Sequence, residues 1–244
     1  MKKYSISFLA ILIPLLGFGV SAAPWGECDE EIELDEAEVF IEFNSTDGDF
    51  GIQFFWDGEP WDRMKVEGPD GRRVLKVRAS RNLRAQGLTE GFFESAEPSV
   101  EDLPMDEFLE RFPEGEYEYE GRTLEGEELE GETEFTHTLP APPENLWPAD
   151  GDEVCSESPL VVSFDPVDED LEGEDLEPEL YEVIIETEGE ILRVMTIVLE
   201  GDTKAPSVTV PPEFLSPDTE YKFEVIVQEE SGNRTISETE FSTK

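Results

Sequence analysis

Apolar and polar residues alternate along much of this chain, and the alternation has the period of β-strands. The clearest run begins at Leu215-Ser216-Pro217-Asp218-Thr219-Glu220-Tyr221. Pro217 and Asp218 supply turn chemistry, and from there Tyr221, Phe223, Val225 and Val227 alternate with Lys222, Glu224, Ile226 and Gln228. Ile226 alone breaks the pattern. Similar runs predict strands over 39–44, 51–56, 61–67 and 72–79, separated by turns at 44–49, 57–60 and 68–71. Further strands are expected over 117–122 and 133–139, around a Leu-Glu-Gly-Glu-Glu-Leu-Glu-Gly hairpin. In the second half six fall at 160–165, 181–186, 191–199, 207–210, 221–228 and 234–242, a spacing that suits a seven-stranded sandwich of about 100 residues. One segment follows the helical period instead. Met105, Phe108, Leu109 and Phe112 fall at i, i+3, i+4 and i+7, and Pro113 ends the run. Residues 24–38 read as acidic and irregular, and 82–91 as polar with a glycine break.

The expected fold class is therefore mainly β, in two domains: a β-rich N-terminal domain with one short helix, then a seven-stranded sandwich. Residues 1–22 read as a signal peptide. Lys2 and Lys3 precede an apolar run over 4–20, and Val20-Ser21-Ala22 offers small residues for cleavage. Residues 23–139 form the first domain, of unknown function. Pro140-Ala141-Pro142-Pro143 is a stiff linker, and 144–244 form the second domain. No later run is long and apolar enough to span a bilayer. The expected location is periplasmic or extracellular, with no membrane insertion once the signal is cleaved.

Charge narrows the function classes. With 62 acidic and 17 basic residues the formal net charge is −45, and loss of the two leader lysines makes it more negative. Such a chain repels DNA and RNA, so no nucleic-acid partner is expected. The 37% hydrophobic content argues for a folded chain under an acidic skin. That skin serves solubility in salt, divalent cation binding or a cationic partner, and its even spread favours the first.

Within the sandwich region, the run Leu215-x-Pro217-x-Thr219-x-Tyr221-x-Phe223-x-Val225, the strand ending Val162-Ser163-Phe164-Asp165-Pro166, Tyr181-Glu182-Val183, and Pro143 with Leu146 resemble a fibronectin type III domain over about 141–244. The resemblance implies a tyrosine corner at Tyr221, whose hydroxyl caps upstream backbone. Phe164 stands where the family usually has Trp. Ser231-Gly232-Asn233 replaces the Arg-Gly-Asp of integrin-binding members, so that recognition does not carry over. The stretch from Gly51 to Pro143 is similar to uncharacterised exported bacterial proteins, which implies no activity.

Candidate chemistry is sparse. Cys28 and Cys155 suit one disulfide in an oxidising compartment. His137, the single histidine, reads as a surface or strand-packing residue, so no catalytic residue is named. Calcium is the one candidate cofactor; none is otherwise expected. Its weak candidate ligands are Asn44, Asp47 and Asp49 on one turn, and Asp168 and Asp170 in the acidic loop before Glu179, neither matching a helix–loop–helix calcium loop. One strip opposes the acidic trend: Arg63, Lys65, Arg72, Arg73, Lys76, Arg78, Arg81 and Arg84. It is read as internal counter-charge for the acidic N-terminus and the 114–134 hairpin, ahead of a docking face for an anionic polymer. The expected function is a non-enzymatic, binding or adhesion-like accessory role in the cell envelope, with a protein or polysaccharide partner. The alternative is a calcium-dependent carbohydrate-binding or hydrolase-accessory protein.

Overall fold

The computed structural model describes residues 31–189 and 192–244. The signal-peptide segment and Cys28 lie outside them. The chain is mainly β, as expected. The first unit runs β1 (Glu31–Glu33), β2 (Glu36–Asn44), β3 (Asp49–Glu67), β4 (Arg73–Arg78), α1 (Arg81–Gln86), β5 (Leu88–Glu94), α2 (Met105–Arg111), β6 (Gly115–Thr123) and β7 (Glu128–Phe135). The second runs β8 (Asp152–Val154), β9 (Leu160–Ser163), β10 (Leu180–Glu188), β11 (Val194–Glu200), β12 (Ser207–Val210), β13 (Glu220–Gln228) and β14 (Arg234–Thr243).

The expected turn at 57–60 is not a turn. β3 runs through it as one strand of 19 residues. Up to Asp57 it pairs with β2 and β5, and from Trp61 with β4 and β6, with register shifts at the handover. Pro60 sits at that handover, where its missing N–H costs no ladder bond. Gly58 lies close against the Leu34 side chain, whose Cδ2 would be 2.9 Å from a Cβ there. The long strand thus belongs to two half-sheets and folds them over a common core. In that core Trp56 stacks on Phe93 at 5.2 Å and contacts Trp61 and Tyr119, both at 5.7 Å. The Tyr119 hydroxyl donates to the Glu38 carbonyl at 2.6 Å. The predicted helix is α2, which seats Phe108 edge-on to Phe50 at 4.7 Å. The sequence reading missed β1, α1, β5 and β8, and β7 begins at Glu128, inside the expected 124–131 hairpin. β1 is three residues against β7, and β5 brings Gly91 flush against the Trp56 ring, where any Cβ would overlap it.

In the second unit, β9 pairs with β12, and Trp147 bridges to Ser163 beside them. The opposing sheet holds β8, β14, β13, β10 and β11 in that order. Tyr221, Phe223, Val225 and Val227 all point into the core between the sheets and are fully buried. Ile226, the exception to the alternation, packs with Ile184 and Ile236 on the other face.

The two units share a sheet. β14 lies parallel beside β2, with Arg234, Ile236 and their neighbour opposite Glu42 to Asn44. Asn233, fully buried, locks this seam. Its Oδ1 accepts from Ile41 N–H at 2.8 Å, and its Nδ2 donates to the Thr136 and Thr138 carbonyls at 3.0 and 2.9 Å. Thr235 donates to the Pro140 carbonyl at 2.7 Å and Ala141 N–H to the Glu169 carbonyl at 3.0 Å, so the start of the proline segment is tied down. Hydrophobic residues nevertheless sort into two clusters, one reaching Leu139 and the other beginning at Ala141.

Candidate functional site

Two sets of three carboxylates converge to within 4.8 Å among the described residues. The first is Glu42 from β2, Glu94 from the end of β5 and Glu97 from the loop after it. Strand pairing brings them together: Glu42 lies opposite Gly51, and Gln53 opposite Glu94. Gly51 leaves room for Glu97, whose Cγ would lie 3.2 Å from a Cβ there. The Glu97 carboxyl is pushed up to about 7 by partial burial, then by the charges of Glu94, Glu42 and Asp49. Burial also raises Glu42, against the pull of Arg234. Such a group of oxygens takes up either a proton or a hard cation.

Of the residues singled out in the sequence, Asp49 alone contributes to this cluster, through its charge. The Asn44 Oδ1 instead accepts from the N–H groups of Thr46 and Asp47 at 3.0 and 3.1 Å, which shapes the turn, and Asp47 points to solvent. Asp170 plays the same part in its loop, accepting from Glu172 and Glu174 N–H at 2.9 Å each. Asp168 lies beside it in a shallow cleft lined by Ala141, Pro142 and Glu144. Glu42, Glu94 and Glu97 escaped sequence reading because no local spacing links them; the pairing of β2, β3 and β5 does. Cys155 is exposed and forms no disulfide among the described residues. His137 packs edge-on to Phe135 at 5.5 Å, with Nε2 2.8 Å from the Phe112 carbonyl.

The second set is Glu67, Glu118 and Glu120 on the outer face of β3 and β6. The Lys65 ammonium already sits within it, 3.1 Å from Glu67 and 2.8 Å from Glu120. Counter-charge thus accounts for Lys65, and ion pairs to Asp70 and Asp62 account for Arg72 and Arg84. It does not account for Arg63, Arg73, Lys76, Arg78 or Arg81, which have no ion pair among the described residues.

The second unit has the arrangement of a fibronectin type III-like sandwich: the Trp147 segment, β9 and β12 face β11, β10, β13 and β14. Its tyrosine corner is formed as the sequence implied. The Tyr221 hydroxyl accepts from Ser216 N–H at 2.7 Å and donates to the Phe214 carbonyl at 3.3 Å. Phe164 meets Tyr181 edge-on at 5.1 Å. No family model matches the chain, and no curated protein matches it in sequence. Among solved structures it is similar to the FN1–FN3 domains of chicken CNTN1, at 10% identity and TM-score 0.36 over 87% of this chain and 65% of that one. It is also similar to a tetra-tandem repeat from the extending region of a large adhesion protein, at 12% identity and TM-score 0.29 over 86% and 50%. A third is trypsin-activated alpha-2-macroglobulin from Escherichia coli, at 11% identity and TM-score 0.31 over 84% and 15%. The chain spans less than two thirds of each. At these TM-scores the likenesses decide neither architecture nor function. Among the described residues no helix is long and apolar enough to cross a membrane.

Proposed function

We propose that this chain is an exported, non-enzymatic binding or adhesion-like accessory protein of the cell envelope, whose partner is a protein or polysaccharide. The observation that carries this reading is the shared sheet. Pairing of β2 with β14 joins two β units into one body with broad, exposed strand faces. Flat faces of that kind suit an extended partner, whereas small substrates are held in enclosed, mostly apolar clefts. The strong negative charge disfavours nucleic acid as that partner. Expression with the full N-terminus in a bacterial host tests the reading. A mature chain starting at residue 23, found outside the cytoplasm and retained saturably by purified envelope material, is the expected result. A cytoplasmic chain that keeps residues 1–22, or one that envelope material fails to retain, overturns it.

The Glu42–Glu94–Glu97 cluster favours a second reading, in which calcium governs binding. Above neutral pH the cluster is ionised and self-repelling, and a divalent cation relieves that repulsion. Calcium should then raise the melting temperature, and the Glu97→Gln variant should lose the response. An unchanged melting curve at millimolar calcium sinks this reading.

A further inference from the structure

The outer face of β4, β3, β6, β7 and β1 separates its charges instead of mixing them. Strand register sets out the rows. Arg78 lies opposite Arg63, Arg63 opposite Arg122, Arg122 opposite Glu128 and Glu128 opposite Glu31. In the next row, Lys76 lies opposite Lys65, followed by Glu120, Glu130 and Glu33. A third row takes Glu67 to Glu118 and Glu132. All these residues alternate outward and are exposed, save the half-buried Lys65 and Glu67. In the first two rows the β4 and β3 side is therefore cationic and the β7 and β1 side anionic, while in the third Arg73 lies opposite Glu67 and the rest is anionic.

Apart from Lys65, which Glu67 and Glu120 neutralise, each half of the first two rows sets like charges side by side within the monomer. Like charges directly opposite one another on a sheet repel. Among the described residues Arg63, Arg78 and Lys76 find no carboxylate to pair with, in a strongly acidic chain. On the far side, the charge of Glu31 holds the Glu130 carboxyl above its ordinary range, with Glu120, Glu128 and Glu118 adding to it. Protection of the open β4 edge explains cations on β4. It does not explain Arg63 and Arg122, which lie on interior strands. Interleaving the two signs would satisfy both halves, and the fold does not do so.

We propose that this face is a docking surface for a second copy of the chain. A two-fold axis parallel to the strands and running over β6 lays β4 and β3 of one copy on β7 and β1 of the other. Arg78 and Arg63 of each copy then meet Glu31 and Glu128 of the other, and Lys76 and Lys65 meet Glu33 and Glu130, in one isologous contact; Glu67 meets Glu132 and the β6 residues meet their own copies. Five strands about 4.8 Å apart and roughly seven residues long give about 1,100 Å² over both copies, the low end for a specific interface, so the dimer is weak and reversible. Its charge pattern also sets how two strongly acidic molecules can approach: at physiological salt the net repulsion is screened beyond about 8 Å, while the facing rows still attract.

Sedimentation equilibrium of the mature chain tests this between about 10 μM and 1 mM, the range in which so small an interface dissociates. Wild type should form a dimer that dissociates at about 1 M salt, where screening reaches about 3 Å. Arg63→Glu with Arg78→Glu should weaken it at least tenfold, and so should Glu31→Lys with Glu128→Lys, the four positions facing one another across the axis and all being exposed. A one-to-one mixture of the two variants should form a heterodimer tighter than either alone. A wild-type monomer throughout the range, a dimer indifferent to salt or to both reversals, or a mixture that fails to associate overturns the proposal.

Discussion

Glu97 shows how a carboxylate in an acidic chain becomes distinctive. More than fifty others surround it in sequence, yet partial burial beside Glu94, Glu42 and Asp49 brings its titration to about 7. A folded value above the usual 4.5 means that the folded state binds the proton more tightly than the unfolded chain does. The stabilisation is therefore complete below about 4.5 and is lost as pH rises through about 7. Wild type should melt at progressively lower temperature across that window in calcium-free buffer. Glu97→Gln, which cannot ionise, should flatten the slope and be the more stable of the two at pH 8, as read by thermal denaturation at a series of pH values. A slope unchanged by the substitution would show that the cluster is solvated well enough to ionise freely. Glu38 and Glu182 are raised in the same direction by burial, against the pull of Arg234, so some slope remains.

At the scale of elements, period-2 patterning located most of the strands that cover a core with alternating side chains, but set β7 at 133–139, where the strand is Glu128–Phe135. The run from Tyr221 placed β13, and its hydroxyl corner followed from the residues before it. Patterning failed where an element owes its form to something distant. Gly58 and Pro60 read as a turn because nothing local reveals that β3 changes partners there. β5 looked featureless because Gly91 is chosen by the Trp56 ring and not by its own neighbours. Ile226 broke the alternation because the outer face of β13 also carries apolar contacts, with Ile184 and Ile236. The acid cluster was unreadable for the same reason, since its three members meet only after β2, β3 and β5 have paired. The tyrosine corner is testable directly. Tyr221→Phe removes the acceptor of Ser216 N–H and a 3.3 Å partner of Arg193, and should destabilise the protein by about 2 kcal/mol. Urea denaturation measures this, and a loss well under that value would mean that water replaces the hydroxyl.

For the whole molecule, the seam is the decisive feature. Composition marked the proline segment as a place where the chain changes character, and the hydrophobic clusters do divide there. The pairing across it had no sequence signature, because Asn233 reads as an ordinary turn residue. Its side chain holds the backbone of Ile41, 192 positions away, together with that of Thr136 and Thr138, 97 and 95 positions away. Asn233→Ala leaves the Ile41 N–H and two carbonyls short of partners, at a cost of about 3 kcal/mol. Calorimetry should then resolve two transitions where wild type shows one. A single transition at the wild-type temperature would mean that the three register pairs of β14 and β2 suffice without it.

The same seam bears on any attempt to work with half of the protein. Severing the chain at 140–143 looks safe on composition, yet it would strip β14 of β2 and leave both pieces with raw backbone along a strand margin, together with the Phe40 ring on which Arg234 now rests at 4.1 Å. Fragments made that way should be sticky for reasons unrelated to their natural partner. A binding signal recorded from an isolated half would then report the wound as much as the ligand, and the intact chain is the proper reagent.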